Sequence, residues 1–280
     1  MTSPEICPVP VGGSLGARVD GIDVRSLDDA ALDRLTSAVH DHLVIFLPGQ
    51  QLDDDEHLRF SSRLGTKVSV HPISVYFDRD EPIVEVIEDD ADRPPSAENW
   101  HTDVTFAPNP PGFGVLLGEV IPEAGGDTMW SNQYLAYEQL SPVIRDLVGG
   151  MVARHTPGRF LDGLRNKMGA EVADQVRPVL PEATHPVVIT HPVTGRRALY
   201  VNRGFTTDIE GLGPIESAGL LRLLVDHAEQ PRFTVRWRWS PGDLAIWDER
   251  ATMHFAIGDH FPAHRRMRRC TVDIAAVPAG

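Results

Sequence analysis

The sequence predicts an α+β domain that is mainly β, its strands closing into a barrel or sandwich. Three observations point there. The last third is dense in short strands separated by Gly/Pro turns, helical periodicity is confined to a few segments, and 24 Gly with 23 Pro supply many turns. With 280 residues, 41% hydrophobic, 24% charged and 7% aromatic, the chain has ample material for one large core.

In chain order, residues 13–25 alternate apolar with small or polar side chains, and Ser26-Leu27-Asp28-Asp29 opens a capped helix running to His42. Leu43-Val44-Ile45-Phe46-Leu47 is then a buried strand, ended by Pro48-Gly49-Gln50. Asp53-Asp54-Asp55-Glu56 begins a second helix reaching to near Gly65, its acids suited to the positive end of the helix dipole. Residues 67–98 read as proline-punctuated loops around a mouth, with one strand at 82–87. A strand at 112–120, a turn at Gly125-Gly126-Asp127, a strand at 128–130 and helical periodicity over 132–148 follow. Residues 157–184 have weak periodicity and read as a mobile insert or lid. The final third gives strands at 186–190, 198–202, 233–239, 243–247, 252–256 and 269–275, with one helix at 216–229. No repeat or linker divides the chain, so one domain over 1–280 is the economical expectation.

A net charge of -14 argues against nucleic acid as a partner, because such binding relies on cationic surface to displace phosphate counterions. Two cysteines, Cys7 and Cys270, are too few for a disulfide framework and fit a reducing cytoplasm. The N-terminus lacks the basic start and apolar run of a signal peptide, and no apolar stretch approaches the ~20 residues that span a bilayer, so neither export nor membrane insertion is expected.

Chemistry concentrates in Glu98-Asn99-Trp100-His101-Thr102-Asp103-Val104-Thr105-Phe106. As a strand, this stretch places His101 and Asp103 on one face, an imidazole beside a carboxylate. A second imidazole would complete a two-histidine, one-carboxylate iron(II) site with open positions for other ligands. His254, in strand-dense text where a barrel would return it to residue 101, is the leading candidate. His155, His185 and His191 are rivals, whereas His40, His42, His57 and His227 lie in helical text and suit structural roles.

His101-x-Asp103, the distant His254, and Arg265 and Arg269 beyond it resemble the taurine dioxygenase family of iron(II)/2-oxoglutarate-dependent dioxygenases. The likeness covers nearly the whole chain. It includes Asn99 to Phe106, Gly125-Gly126-Asp127-Thr128, His185-Pro186-Val187-Val188 with Thr190-His191-Pro192, Tyr200-Val201-Asn202 with Gly204-Phe205-Thr206-Thr207, and Trp247-Asp248. It implies a double-stranded β-helix, or jelly roll, with helices outside one sheet, and a dimeric or tetrameric assembly. It implies Fe(II) on His101, Asp103 and His254, with 2-oxoglutarate and O2 as cosubstrates. Arg265, eleven residues after His254, and Thr128 would hold the far carboxylate of 2-oxoglutarate. Arg269 and His71 would hold an anionic substrate, a sulfonate, sulfate ester or carboxylate, with Val104 and Phe205 lining the same pocket.

In a strand, Arg265 and Arg269 share a face and Arg266 and Arg268 point the other way, to solvent. Ser74 and Ala97 stand where the family's best-known member has a tyrosine and an asparagine, which implies that taurine is a poor substrate and a larger or less polar anion a better one. Asp103 occupies the position that halogenases of the superfamily leave vacant, which disfavours halogenation. Desaturation or cyclisation on the same site, a non-catalytic metal-binding jelly roll and an acidic interaction module are the alternatives. Trp100, Trp130, Trp239 and Trp247 suit the core, Trp247 with a possible place behind the metal.

Overall fold

A computed structural model describes residues 5–73, 83–95 and 98–274. Its main sheet runs in the order Val9–Pro10, Ala17–Arg18, Val44–Leu47, Leu244–Asp248, Phe113–Val120, Arg265–Asp273 and Lys67–Val68, and Glu85–Asp89 shares the free edge of Arg265–Asp273 with Lys67–Val68. Apart from Ala17–Arg18 beside Val44–Leu47, these pairings are antiparallel. A second sheet places Thr128–Asn132 between Thr234–Trp237 and Thr252–Ala256. A further three-stranded sheet, a two-stranded one and the helix Pro214–Ala228 complete the framework.

Strand Val44–Leu47 shows why the layers form. All four side chains are buried, so neither face meets water. Ile45 and Leu47 join Leu35 of helix Asp29–His42, Phe60 of helix Asp54–Ser61, Val115 and Cys270 on one face. Val44 and Phe46 join Trp130, Trp239, Trp247 and Met267 between the two large sheets. The indoles carry most of that second core: Trp130 lies edge-on to Trp247 at 5.7 Å, and Phe46 stacks on Trp237 at 4.1 Å. Both early helices have acidic N-caps: Asp28 accepts from the Ala31 amide, and Asp53 with Glu56 forms a capping box.

Several elements depart from the sequence expectation. Residues 132–148 form two helices, Gln133–Glu138 and Pro142–Val148, because Pro142 cannot donate into a continuing helix and Ser141 caps the second one. Residues 157–184 include helices Gly158–Met168 and Ala170–Val176. Gly158, Gly163 and Gly169 weaken the periodicity there, yet Leu161, Val176 and Leu180 pack with Val104 and Phe106. Strands Val152–His155 and Thr206–Ile209 were not anticipated; Thr206-Thr207-Asp208 is polar text whose strand state comes from pairing. The strand expected at 82–87 is Glu85–Asp89, and residue 82 lies outside the described residues. The last strand begins at Arg265 rather than 269. Arg268 is not a solvent-facing residue: it lies beneath helix Asp54–Ser61, bonded to Asp54 and to the Leu52 carbonyl. Among the described residues, no helix is long and apolar enough to cross a membrane.

Two buried histidines link this core to pH. Burial, with the nearby Arg268 charge, pushes His57 down to about 4, and burial beside His185 pushes His155 down to about 3. The unfolded chain takes up these protons near pH 6.5, well before the folded chain does, so the neutral pair's stabilisation is complete above that pH and is lost as pH falls. In urea titrations of metal-free protein, stability should therefore fall between pH 6.5 and 4, by up to about 1.4 kcal/mol per pH unit per histidine. His155→Gln should make the slope shallower.

Candidate active site

The 98–107 stretch is not a strand. Only His101 pairs, in an isolated bridge, where its amide donates to the His254 carbonyl at 3.0 Å and the His254 amide donates back at 2.7 Å. The chain then turns through Val104 at φ 54°, closed by the Ala107 amide on the Val104 carbonyl. His101 and Asp103 thus meet through a turn, while the reciprocal backbone bonds set the His101 and His254 rings 4.2 Å apart. Gly204 is required beside them, since a Cβ there would lie 2.7 Å from that of His101.

Three donor atoms converge. Asp103 Oδ1 lies 3.6 Å from His101 Nε2 and 3.9 Å from His254 Nε2. His101 Nδ1 donates to the Asn99 carbonyl at 2.8 Å, which leaves Nε2 as a lone pair facing Asp103. Burial pushes His254 down to about 3, so it too presents a neutral nitrogen; Trp247 packs against its ring at 5.1 Å. Burial alone would raise the Asp103 carboxyl, but the Arg269 guanidinium against it holds it well below the usual carboxylate range. Two imidazole nitrogens and an ionised carboxylate, oriented on one point, fit a divalent iron.

Thr128 opens the central strand of the second sheet and Arg265 opens the last strand of the main sheet. Trp239 Nε1 donates to Thr128 Oγ1 at 3.0 Å, leaving the hydroxyl hydrogen for another acceptor. Buried Arg265 spends only Nε, on the Gly126 carbonyl at 3.0 Å, and its two Nη groups have no partner among the described residues. Gly126, at φ 73°, makes room: a Cβ would come within 2.9 Å of Arg265 Cδ. A cation and a hydroxyl donor left open together suit a carboxylate.

Arg269 Nη1 donates to Asp103 Oδ2 at 2.8 Å. His71 Nδ1 accepts from the Ile73 amide, and burial lowers its proton affinity, so the ring is neutral with Nε2–H available. His71 packs against Phe106 and Phe160, and Phe205 stands edge-on to His101 at 6.1 Å. Val104 is buried in the same cluster as Phe106. Ser74 and Ala97 lie outside the described residues.

Sequence reasoning missed the residues that brace these groups. Glu249 accepts from the Asp103 amide at 3.0 Å and from Trp247 Nε1 at 2.7 Å, fixing the metal loop from behind. Burial, reinforced by the Asp103 charge, pushes its carboxyl well above the usual range. His155 and Asn202 bond Thr105 Oγ1, and His185 bonds the Thr105 carbonyl, so two of the rival histidines serve the turn. The third, His191, forms with His40 and Asp248 another group of three metal-capable side chains. That cluster is satisfied internally: His191 Nδ1 accepts from the Val193 and Thr194 amides, its Nε2 faces Asp248 at 2.9 Å, and Arg250 pairs with the same carboxylate. Adjacency to Asp103 exists only in space, which is why Glu249 carried no signal in the sequence.

Residues 8–271 match the family described as taurine catabolism dioxygenase TauD, TfdA family. The chain belongs to that family. It is 35% identical over 266 residues to an alkylsulfatase of Acinetobacter baylyi, covering 93% of this chain and 82% of that protein. It is 35% identical over 277 residues to an alpha-ketoglutarate-dependent sulfate ester dioxygenase of Pseudomonas putida, covering 97% and 90%. The crystal structure of a taurine dioxygenase from Burkholderia xenovorans superposes with a TM-score of 0.81 at 34% identity, covering 99% of this chain and 93% of that one. The protein is thus an Fe(II)- and 2-oxoglutarate-dependent dioxygenase that uses O2.

Glu249→Ala should lower Fe(II) affinity about 10- to 100-fold, as loss of a partner that orients a ligand does, when titrated anaerobically. Glu249→Gln should fall between it and the parent, since it keeps an acceptor for the Asp103 amide and loses the one for Trp247.

Proposed function

We propose that this enzyme hydroxylates a small organic anion, with alkyl sulfate esters the leading class and sulfonates and carboxylates the related ones. The observation that carries this is the set of cations and donors that accompanies the triad: Arg265 and Thr128 with unused donors, the His71 Nε2–H, and Arg269, which is bonded to Asp103 and to the half-exposed Glu85. In this reading His101, Asp103 and His254 hold Fe(II), and Arg265 and Thr128 hold the far carboxylate of 2-oxoglutarate. Arg269 and the His71 Nε2–H hold the substrate's oxyanion, with Val104 and Phe205 against its carbon chain. Bound there, iron with 2-oxoglutarate and O2 supplies an oxidant that places one oxygen into a C–H bond while 2-oxoglutarate becomes succinate and CO2.

The protein's share is placement. The anion fixed at Arg269 sets which carbon faces the metal, and the apolar wall of Val104, Phe106 and Phe205 keeps water from that carbon. For an alkyl sulfate, hydroxylation of the carbon bearing the sulfate oxygen gives a hemiacetal sulfate, which collapses to an aldehyde and hydrogensulfate. The names of the two similar proteins, an alkylsulfatase and a sulfate ester dioxygenase, support this class over taurine. We read the two large sheets as a jelly roll forming a single domain over 1–280, and the helices Gly158–Met168 and Ala170–Val176 as a lid on the substrate side, consistent with Leu161 and Val176 packing on Val104 and Phe106. A cytoplasmic dimer or tetramer completes the reading.

Succinate release measured across hexyl sulfate, hexanesulfonate, an aryloxyalkanoate and taurine should be greatest with the sulfate ester, with hexanal and inorganic sulfate as products by mass; taurine as the best substrate would sink the proposal. Arg265→Ala should weaken 2-oxoglutarate binding about 10- to 100-fold, the effect of losing a charge-assisted bond, while Fe(II) affinity stays within about two-fold.

A further inference from the structure

Strand Glu85–Asp89 brings two acids to the two functional arginines. Its register with Arg265–Asp273 sets Asp89 opposite Arg265, Ile87 opposite Met267 and Glu85 opposite Arg269. The outcomes differ. Asp89 is buried, lies 3.7 Å from His260, and forms no ion pair with Arg265 among the described residues, so Arg265 stays open. Glu85 instead closes Arg269: its Oε2 accepts from Nη2 at 2.8 Å and from Nε at 3.1 Å.

The Nε/Nη2 edge is the fork with which a guanidinium grips a planar or tetrahedral oxyanion through two bonds. The remaining partner, Asp103 on Nη1, has a side chain 6% exposed and faces both histidines, so it is not free to leave. Glu85 is 48% exposed and can turn into water. An organic anion arriving at Arg269 therefore finds the gripping edge occupied by the one carboxylate that is able to move.

We propose that Glu85 is a specificity-determining residue, a resident carboxylate that occupies the anion-gripping edge of Arg269 and is displaced by the substrate's oxyanion. This rests on the reading that the substrate's anion binds Arg269. A neutral molecule gains nothing by displacing Glu85, and a dianion such as a phosphate monoester meets its charge at close range. The device therefore favours monoanions, the state of sulfate esters and sulfonates at neutral pH. Because a half-exposed ion pair contributes little, displacement is shallow and costs about two- to five-fold in affinity.

The test is calorimetric titration of hexyl sulfate and hexyl phosphate into protein loaded with Fe(II) and 2-oxoglutarate, without O2. Glu85→Gln should lower the Kd for hexyl sulfate about two- to five-fold and narrow the preference for sulfate over phosphate; Glu85→Ser should act in the same direction. Unchanged or weaker hexyl sulfate binding in both variants would show that Glu85 merely braces Arg269 and overturns the inference. Arg269→Ala separates the two levels. A loss of at least ten-fold in hexyl sulfate affinity, in variant protein shown to hold Fe(II), supports anion binding at Arg269, and no loss overturns both that reading and the inference built on it.

Discussion

The site depends on keeping one buried carboxylate ionised. Asp103 lies almost wholly out of water, where desolvation favours the neutral acid, and a neutral acid is a poor ligand for iron. Arg269 removes that difficulty with a direct contact at 2.8 Å. One guanidinium thus holds the charge state of Asp103 while also pairing with Glu85.

The two sheets are what allow this contact. His254 belongs to the second sheet and pins His101 by paired backbone bonds, whereas Arg265 and Arg269 belong to the last strand of the main sheet. Met267, between them and fully buried, anchors that strand in the indole-rich core and so fixes which way both arginines point. The metal loop is then stitched from outside by Glu249, His155, Asn202 and His185. His185 and Asn202, from two of the motif blocks, thus brace Thr105 beside the turn at Val104.

Legibility varied with how local each cause was. The helix starts at Asp28 and Asp53 were readable because capping needs only a side chain and an amide three residues on. The buried strand Val44–Leu47 was readable from its unbroken apolar run. Strand Thr206–Ile209 was not, because its residues are polar and their pairing partners lie some fifty positions away. The helices after Pro157 were hidden by glycines whose helical state is supported by packing on Val104 and Phe106. Arg268 was misjudged for a related reason: alternation gives the face a residue points to, and not whether a helix covers that face.

The sequence by itself determined the chemical inventory. His101, Asp103 and His254, the spacing to Arg265 and Arg269, and Thr128 after paired glycines were all present as residue types in order, since ligand chemistry is a property of side chains. The shared face of Arg265 and Arg269 also follows from strand alternation alone. Only the tertiary structure decided how His101 and Asp103 come together, through a turn with a left-handed valine in place of a strand, because a reciprocal bridge to a residue 153 positions later sets that conformation. It alone set Glu249 behind Asp103, Trp239 behind Thr128 and Glu85 across from Arg269, contacts made by sheet register and burial between residues the chain keeps far apart.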